Sequence, residues 1–187
     1  FPVFVTFIEP ILSGQPIRRF DILSAALVMI GLIFVAPSFN LNDTGTVGLL
    51  WAVLSGALFA VLTLMNRRLV EEHAVMQLAF YQHICAALVV FPLVVVAGAM
   101  PASTDWGLII VLGLFCTALP HMLFIQSLTL LKAQLASVVA GLEPVYGILF
   151  AAILLGEIPS LSTLIGAVIV LAAVILAMRA HAAVPKT

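Results

Sequence analysis

The sequence predicts an all-α membrane protein, a bundle of transmembrane helices with six complete spans and one partial span. Of its 187 residues, 64% are hydrophobic and only 8% are charged, whereas a soluble domain is about 45–50% apolar and about 25% charged. The apolar residues also form runs close to the 20 or so residues that a helix needs to cross a hydrocarbon core about 30 Å thick. Composition therefore excludes an ordinary soluble fold.

Breaks that contain Gly, Pro, Asn, Asp or charged residues divide the chain into seven apolar stretches. The predicted spans are 1–13, 20–37, 47–66, 77–98, 106–128, 133–155 and 161–179. The first stretch is too short to cross the bilayer by itself, and Phe1 already lies inside an apolar run with no initiator Met. We therefore expect this sequence to be the C-terminal part of a longer protein.

The basic residues predict the side of the membrane that each loop faces. All seven of them lie at or beyond the ends of odd-numbered spans, and the loops 38–46, 99–105 and 156–160 contain no Lys or Arg. By the positive-inside rule the basic side is cytoplasmic, so the C-terminus is predicted to lie in the cytoplasm. These residues are Arg18, Arg19, Arg67, Arg68, Lys132, Arg179 and Lys186.

The stretch 141–160, GLEPVYGILFAAILLGEIPS, resembles the start of the chain, FPVFVTFIEPILSG. A constant shift aligns Pro2 with Pro144 and Gly14 with Gly156. The two copies are five spans apart, an odd number, so they must cross the membrane in opposite directions. Inverted repeats of this kind are typical of secondary transporters, in which two halves move around a site near the bilayer midplane.

Two longer segments resemble a known family. EPVYGILFAAILLGE followed by IPSLSTLIGAVIVLAAVIL is similar to the end of an EamA-type domain of the drug/metabolite transporter superfamily, and GTVGLLWAVLSGALFAVLTLMNRRL is similar to its start. The resemblance implies ten spans with both termini cytoplasmic, and coupled transport of small metabolites or drugs across a bacterial cytoplasmic (inner) membrane. Residues 45–179 would be a complete second five-helix repeat, 1–37 the last two helices of the first repeat, and 180–187 a cytoplasmic tail. Where the family has an acidic residue after the first-repeat glycine, this chain has Gln15.

Glu143 is the main candidate for a substrate-binding residue. It lies near the middle of its span, where an acidic side chain costs about 2.5–3.5 kcal/mol on insertion scales. We therefore expect it to face the interior of the bundle, as a proton carrier or as the counter-charge of an amine. Pro144 frees a backbone carbonyl beside it and predicts a kink. The structural alternative is that Glu143 caps a neighbouring helix end or pairs with His121.

Other candidate residues are aromatic or titratable. His121, which follows the second predicted kink at Pro120, is a candidate for substrate binding and, with His83 and Glu143, for a proton relay, because histidine titrates near neutral pH. Hydrogen-bonded packing is the alternative for both histidines.

Tyr146 and Trp51 are candidates for stacking on a substrate, with anchoring at the membrane interface as the alternative for Trp51. Glu9, Asn66 and Gln126 lie toward cytoplasmic ends of spans, where we expect water to satisfy their polar groups.

The charge pattern limits the partners. Seven dispersed basic residues and a net charge of −1 provide no patch for nucleic acid. No basic residue lies in the interior of a predicted span, since Arg179 is the last residue of its span, and this pattern favours a cationic, zwitterionic or neutral small molecule over a phosphate. The histidines lack metal-ligand spacing, so neither a metal nor a cofactor is expected. The expected partners are thus the small-molecule substrate and the lipid bilayer, with a homodimer left open.

The sequence therefore predicts a secondary active transporter that works by alternating access and is coupled to protons or another cation, and not an enzyme. Two alternatives stay open. An intramembrane enzyme would need a nucleophile such as Ser137 or Cys116 beside a histidine base. A seven-helix receptor-like protein would need receptor-like loops or a lysine inside its last span, and that span has none.

Overall fold

The computed structural model describes residues 1–14, 16–35, 45–98 and 100–182. These residues form helices and no strands, as the sequence predicted. The helices are α1 (Pro2–Ser13), α2 (Arg19–Val35), α3 (Gly45–Leu69), α4 (Val75–Val96), α5 (Trp106–Gly113), α6 (Leu119–Ser127), α7 (Ala133–Ala140), α8 (Glu143–Phe150) and α9 (Leu161–Ala182), with π-helical segments at Leu114–Ala118 and Ala151–Leu155. Gln15, Asp43 in the predicted outer loop, and Lys186 in the predicted tail lie outside the described residues.

Five stretches of the described residues are long and apolar enough to cross a membrane. They are Leu50–Leu69, Val75–Val96, Trp106–Ser127, Ala133–Leu155 and Leu161–Ala182. Each lies within about three residues of a predicted span, because each span begins and ends near the Gly, Pro or charged residues that interrupt the apolar runs. The 17 residues of α2 extend about 25 Å at 1.5 Å per residue, and α1 is a shorter apolar helix.

Proline lies at the start, and glycine at the end, of the two segments that the repeat aligns. Pro2 and Pro144 lie in the first turns of α1 and α8, where a missing N–H leaves no helical hydrogen bond unmade. Gly14 ends α1 with φ 66°, and Gly156 ends the π-helical segment after α8 with φ 69°. A left-handed residue at a helix end is commonly glycine, since a Cβ is strained there. The two segments that the repeat aligns therefore begin and end with the same backbone features.

The chain divides into two compact units. One consists of Phe1–Leu64 with Lys132–Thr187, and the other of Met65–Leu131. In the second unit, Leu78 and Ala79 of α4 pack against Ile125 of α6, and four partly buried apolar residues surround them: Leu69, Val70, Val75 and Met122.

The core of the first unit lies between α2 and α9, which contact each other along their lengths. Their backbones meet at two glycines: a Cβ on Gly166 would lie 2.5 Å from the carbonyl oxygen of Gly31, and a Cβ on Gly31 would lie 2.6 Å from Cγ2 of Val170. Small residues permit such close approach between membrane helices. The buried residues of α9 recur at helical spacing along one face: Gly166, Val170, Ala173, Val174 and Ala177.

Candidate functional site

The span Ala133–Leu155 is interrupted between its two helices. α7 ends at Ala140, Gly141 and Leu142 form a turn, and α8 begins at Glu143. Around this turn the hydrogen bonds tighten to the i to i−3 pattern: the Leu142 N–H donates to the Val139 carbonyl at 3.0 Å, and the Val145 N–H donates to the Leu142 carbonyl at 2.9 Å. Pro144 has no N–H for the carbonyl of Ala140. The break therefore places a helix N-terminus inside an apolar span.

Glu143 is the first residue of α8, and its side chain is exposed. Within the described part of the chain, its carboxylate has no hydrogen-bonding partner. Tyr146, 55% exposed, lies one turn further along the same face of the helix. The arrangement presents an acceptor-only carboxylate and an aromatic ring together, a combination that suits an organic cation.

Glu9, and not Glu143, caps the start of a neighbouring helix, α7. Oε1 of Glu9 accepts a hydrogen bond from the Ala133 N–H at 3.2 Å, and Oε2 accepts one from the Gln134 N–H at 2.8 Å. The expectation that water satisfies Glu9 was therefore wrong. Sequence analysis missed this contact because the partners are backbone groups of a helix more than 120 residues away.

Trp51 lies on α3 and is 66% exposed. It lines an open concavity of about 350 Å³ with five other residues of the same helix: Leu54, Ser55, Leu58, Phe59 and Leu62. All six lie on α3, so the concavity is not shared with Glu143 or Tyr146. Its lining is mainly apolar, which makes it a surface for aliphatic or aromatic groups rather than for charge.

A polar cluster in the second unit joins α3, α4 and α6. Gln82 donates through Nε2 to Oδ1 of Asn66, and Nε2 of His121 lies 2.9 Å from Oε1 of Gln82. The ring of His83 lies edge-on to that of His121, with 5.2 Å between their centroids, and Nδ1 of His83 lies 2.6 Å from the Ala79 carbonyl. The structure thus brings together the two predicted histidines with an amide pair.

These contacts match one assignment of the hydrogens in the cluster. With Oε1 of Gln82 as the acceptor, His121 donates through Nε2–H, and with the Ala79 carbonyl as the acceptor, His83 donates through Nδ1–H. Asn66 is 1% exposed, so the expectation that water satisfies its amide was wrong. Gln82 had no assigned role in the sequence, although an amide inside an apolar helix commonly pairs with another helix.

Changing Gln82 to leucine is expected to lower the free energy of unfolding by about 1–3 kcal/mol, because the buried amide of Asn66 loses its partner. The measurement is thermal or denaturant unfolding of the full-length protein in detergent. Gln77→Leu is the matched control, since Gln77 is an exposed residue of the same helix. The double variant Asn66→Leu with Gln82→Leu should recover part of the loss, because it removes both polar partners. Equal stability of the Gln82 and Gln77 variants would contradict the conclusion that the pairing of Gln82 with Asn66 stabilises the fold.

The described residues contain no group of three or more His, Cys, Asp or Glu side chains that could hold a metal ion. Pro120 lies in the first turn of α6, directly after the π-helical segment Leu114–Ala118. In that segment the Thr117 hydroxyl donates to the Leu112 carbonyl at 3.0 Å. A second span is thus irregular near its middle, and π-helical turns often occur at functional sites.

Comparison with known proteins gives a family and several relatives. The EamA-like transporter family matches residues 46–179. An uncharacterized transporter of Archaeoglobus fulgidus is 27% identical over 179 residues, which are 95% of this chain and 63% of that protein. An S-adenosylmethionine uptake transporter of Rickettsia conorii is 28% identical over 123 residues, 66% of this chain and 42% of that protein. An uncharacterized transporter of Bacillus subtilis is 21% identical over 181 residues, 95% of this chain and 58% of that protein.

The chain thus spans between 42% and 63% of the length of these relatives. No solved structure matches it. The family match covers well over half of the chain, and it includes all five stretches that can span a membrane except the last residues of the fifth. The protein is therefore an integral membrane protein and belongs to the EamA-like transporter family.

Proposed function

We propose that the protein is a secondary active transporter that moves a small cationic or zwitterionic metabolite across the bacterial cytoplasmic membrane by alternating access. The observation that carries this proposal is the break at Gly141–Leu142, where the carboxylate of Glu143 is exposed inside an apolar span and has no partner among the residues that the structure describes. Ionisable groups at such depth are costly and generally serve a function. Broken helices at the midplane hold substrates and ions in several transporter folds.

The local chemistry favours positive charge on the substrate. The carboxylate of Glu143 can pair with an ammonium or sulfonium group, and Tyr146 can contact its apolar part or the cation itself. The carbonyl of Ala140, for which Pro144 supplies no N–H, is a further acceptor at the break. No Lys or Arg lies in the middle of a described span, so this part of the protein offers no cation for a phosphate.

The relatives supply a compound to test. The Rickettsia conorii relative is named as an S-adenosylmethionine uptake transporter. S-adenosylmethionine combines a sulfonium cation with a zwitterionic amino acid, the charge type that a site around Glu143 would accept. We therefore propose metabolites of this type as substrates of the present transporter.

We further propose that residues 45–179 form the second of two inverted five-helix repeats, that 1–37 are the tail of the first, and that 180–187 are a tail in the cytoplasm. The matching prolines and left-handed glycines of α1 and α8, and the family match over 46–179, support this division. The distribution of the basic residues supports a cytoplasmic C-terminus through the positive-inside rule. The histidine pair of α4 and α6 supports coupling to protons, because it places titratable groups inside two spans. A homodimer stays a prediction.

Ligand preference tests the proposal on the purified full-length protein. S-adenosylmethionine, a quaternary amine, a neutral sugar and a sugar phosphate are each added in a thermal-unfolding assay. A ligand at about 100 times its Kd stabilises the folded state by about 2.7 kcal/mol, so cationic and zwitterionic compounds are expected to raise the Tm and then to compete for uptake into proteoliposomes. Stabilisation by the sugar phosphate alone, or the absence of uptake under any imposed gradient, would contradict it.

A further inference from the structure

Glu9 joins two helices that are distant in the sequence. Its two carboxylate oxygens accept hydrogen bonds from the first two N–H groups of α7, at 3.2 Å to Ala133 and 2.8 Å to Gln134. α7 has no side-chain cap of its own, because its N-cap residue is Lys132, and lysine has no acceptor. The carboxylate therefore takes the place of the local Ser, Thr, Asp or Asn that usually begins a helix.

The two halves of the broken span differ in burial. Six of the eight residues of α7 are buried, and α7 contacts α1, α2 and α9. By contrast, α8 and the π-helical segment after it contain no buried residue. A Cβ on Gly141, at the break, would lie 3.1 Å from Cγ1 of Val28. The buried half therefore packs closely against α2 up to and including the break. Beyond Gly141 the helix leaves the core.

We infer that Glu9 is a positioning residue for the site at Glu143. By bonding the first N–H groups of α7, it fixes this half of the span to α1, so that movement of the span is confined to α8 and pivots at Gly141–Leu142. The position from which Glu143 meets the substrate is then set by the anchored half. This inference rests on the proposed function, because it assigns Glu9 a role in binding at Glu143.

The geometry requires a carboxylate rather than an amide. Both oxygens of Glu9 are used, and each accepts from a different N–H. In Glu9→Gln one oxygen becomes an NH₂ group, which would face a backbone N–H as donor against donor. The negative charge is also favoured at a helix N-terminus, where the aligned peptide dipoles leave partial positive charge. A glutamine of the same size therefore tests the contact without removing the side chain.

The experiment uses the full-length transporter with Cys85 and Cys116 replaced by serine and a single cysteine introduced as Leu142→Cys. Maleimide labelling at position 142 and the KM for uptake are measured with and without Glu9→Gln, and Glu72→Gln, a change in an exposed turn, is the matched control. Glu9→Gln is expected to speed labelling at the break about tenfold and to raise KM about tenfold, corresponding to 1.4 kcal/mol, while Vmax in the folded population changes little. Glu72→Gln should change neither.

The two readouts separate this inference from the proposed site. A role of Glu9 in folding alone would lower the yield or the Tm but leave the labelling rate and the KM of the folded protein unchanged, and that result would overturn the inference. Faster labelling together with a raised KM supports it. If Glu143→Gln transports normally, the proposed site fails, but the labelling rate at position 142 still decides whether Glu9 anchors α7.

Discussion

Replacing Gly166 with alanine is expected to lower the free energy of unfolding by about 3 kcal/mol, the upper end of the usual cost of overpacking. The new Cβ would lie 2.5 Å from the carbonyl oxygen of Gly31, 2.8 Å from Cγ2 of Val35 and 2.9 Å from Cβ of Phe34. Backbone oxygen and Cβ atoms cannot rotate away, so α2 and α9 would have to separate. These two helices form the core of the first unit, and the loss should therefore be large.

The matched control is Gly113→Ala, because a Cβ on Gly113 would have no atom within 4 Å. Alanine is about 1 kcal/mol better than glycine inside a helix, so this variant should be as stable as the wild type or slightly more stable. Thermal unfolding of both variants in detergent gives the comparison. Equal Tm values for the two would show that the close approach of α2 and α9 is not what stabilises the unit.

Changing Glu143 to glutamine in the full-length protein is expected to abolish coupled uptake while membrane insertion is unchanged. Glutamine has nearly the same size but cannot carry charge or a proton. A hydrogen bond to a charged group contributes about 1.5–3 kcal/mol, which corresponds to roughly 10–150-fold in affinity. The loss of uptake should be larger than that if the carboxylate also carries the coupled proton.

Glu157→Gln is the control for this variant, because Glu157 follows the helix-ending Gly156 and its side chain is exposed in a loop. The same chemical change there should leave uptake close to the wild-type rate. Uptake by the Glu143 variant at the rate of the Glu157 variant would remove Glu143 from the site.

The positions of the spans could be predicted from the sequence because length and hydropathy determine which segments enter a bilayer. The structure places Ala133–Leu155 at the predicted boundaries. The division of this span at Gly141–Leu142 was not predicted as such. Pro144 signalled a kink, but an apolar run has the same composition whether its helix is continuous or broken, and the break appears only in the hydrogen-bond pattern.

Which helices pack against each other was harder to predict from the sequence than the positions of the spans. A helix that is apolar on all sides has no polar face to distinguish the core from lipid, so nothing in the sequence pairs Gly31 with Gly166. Their contact is seen only when α2 and α9 lie side by side.

The partners of the polar residues also depended on tertiary structure. Asn66 and Glu9 lie near span ends. From the sequence alone, water and another helix are equally good hydrogen-bonding partners for their polar groups. Instead Gln82 pairs with Asn66, and α7 provides backbone N–H groups to Glu9. Asn66 is buried and Glu9 is partly buried, and each is bonded to another helix. A single sequence does not specify which helix that is.

Equilibrium binding to the purified full-length protein tests most directly whether the break in this span holds the substrate. The labelled compound is the one that is taken up best, and its Kd is measured for the wild type, Glu143→Gln and Glu157→Gln without a gradient, so that coupling does not contribute. We expect Glu143→Gln to raise the Kd by about tenfold or more, equivalent to at least about 1.4 kcal/mol, and Glu157→Gln to leave it unchanged. A wild-type Kd for the Glu143 variant would contradict the assignment of the site.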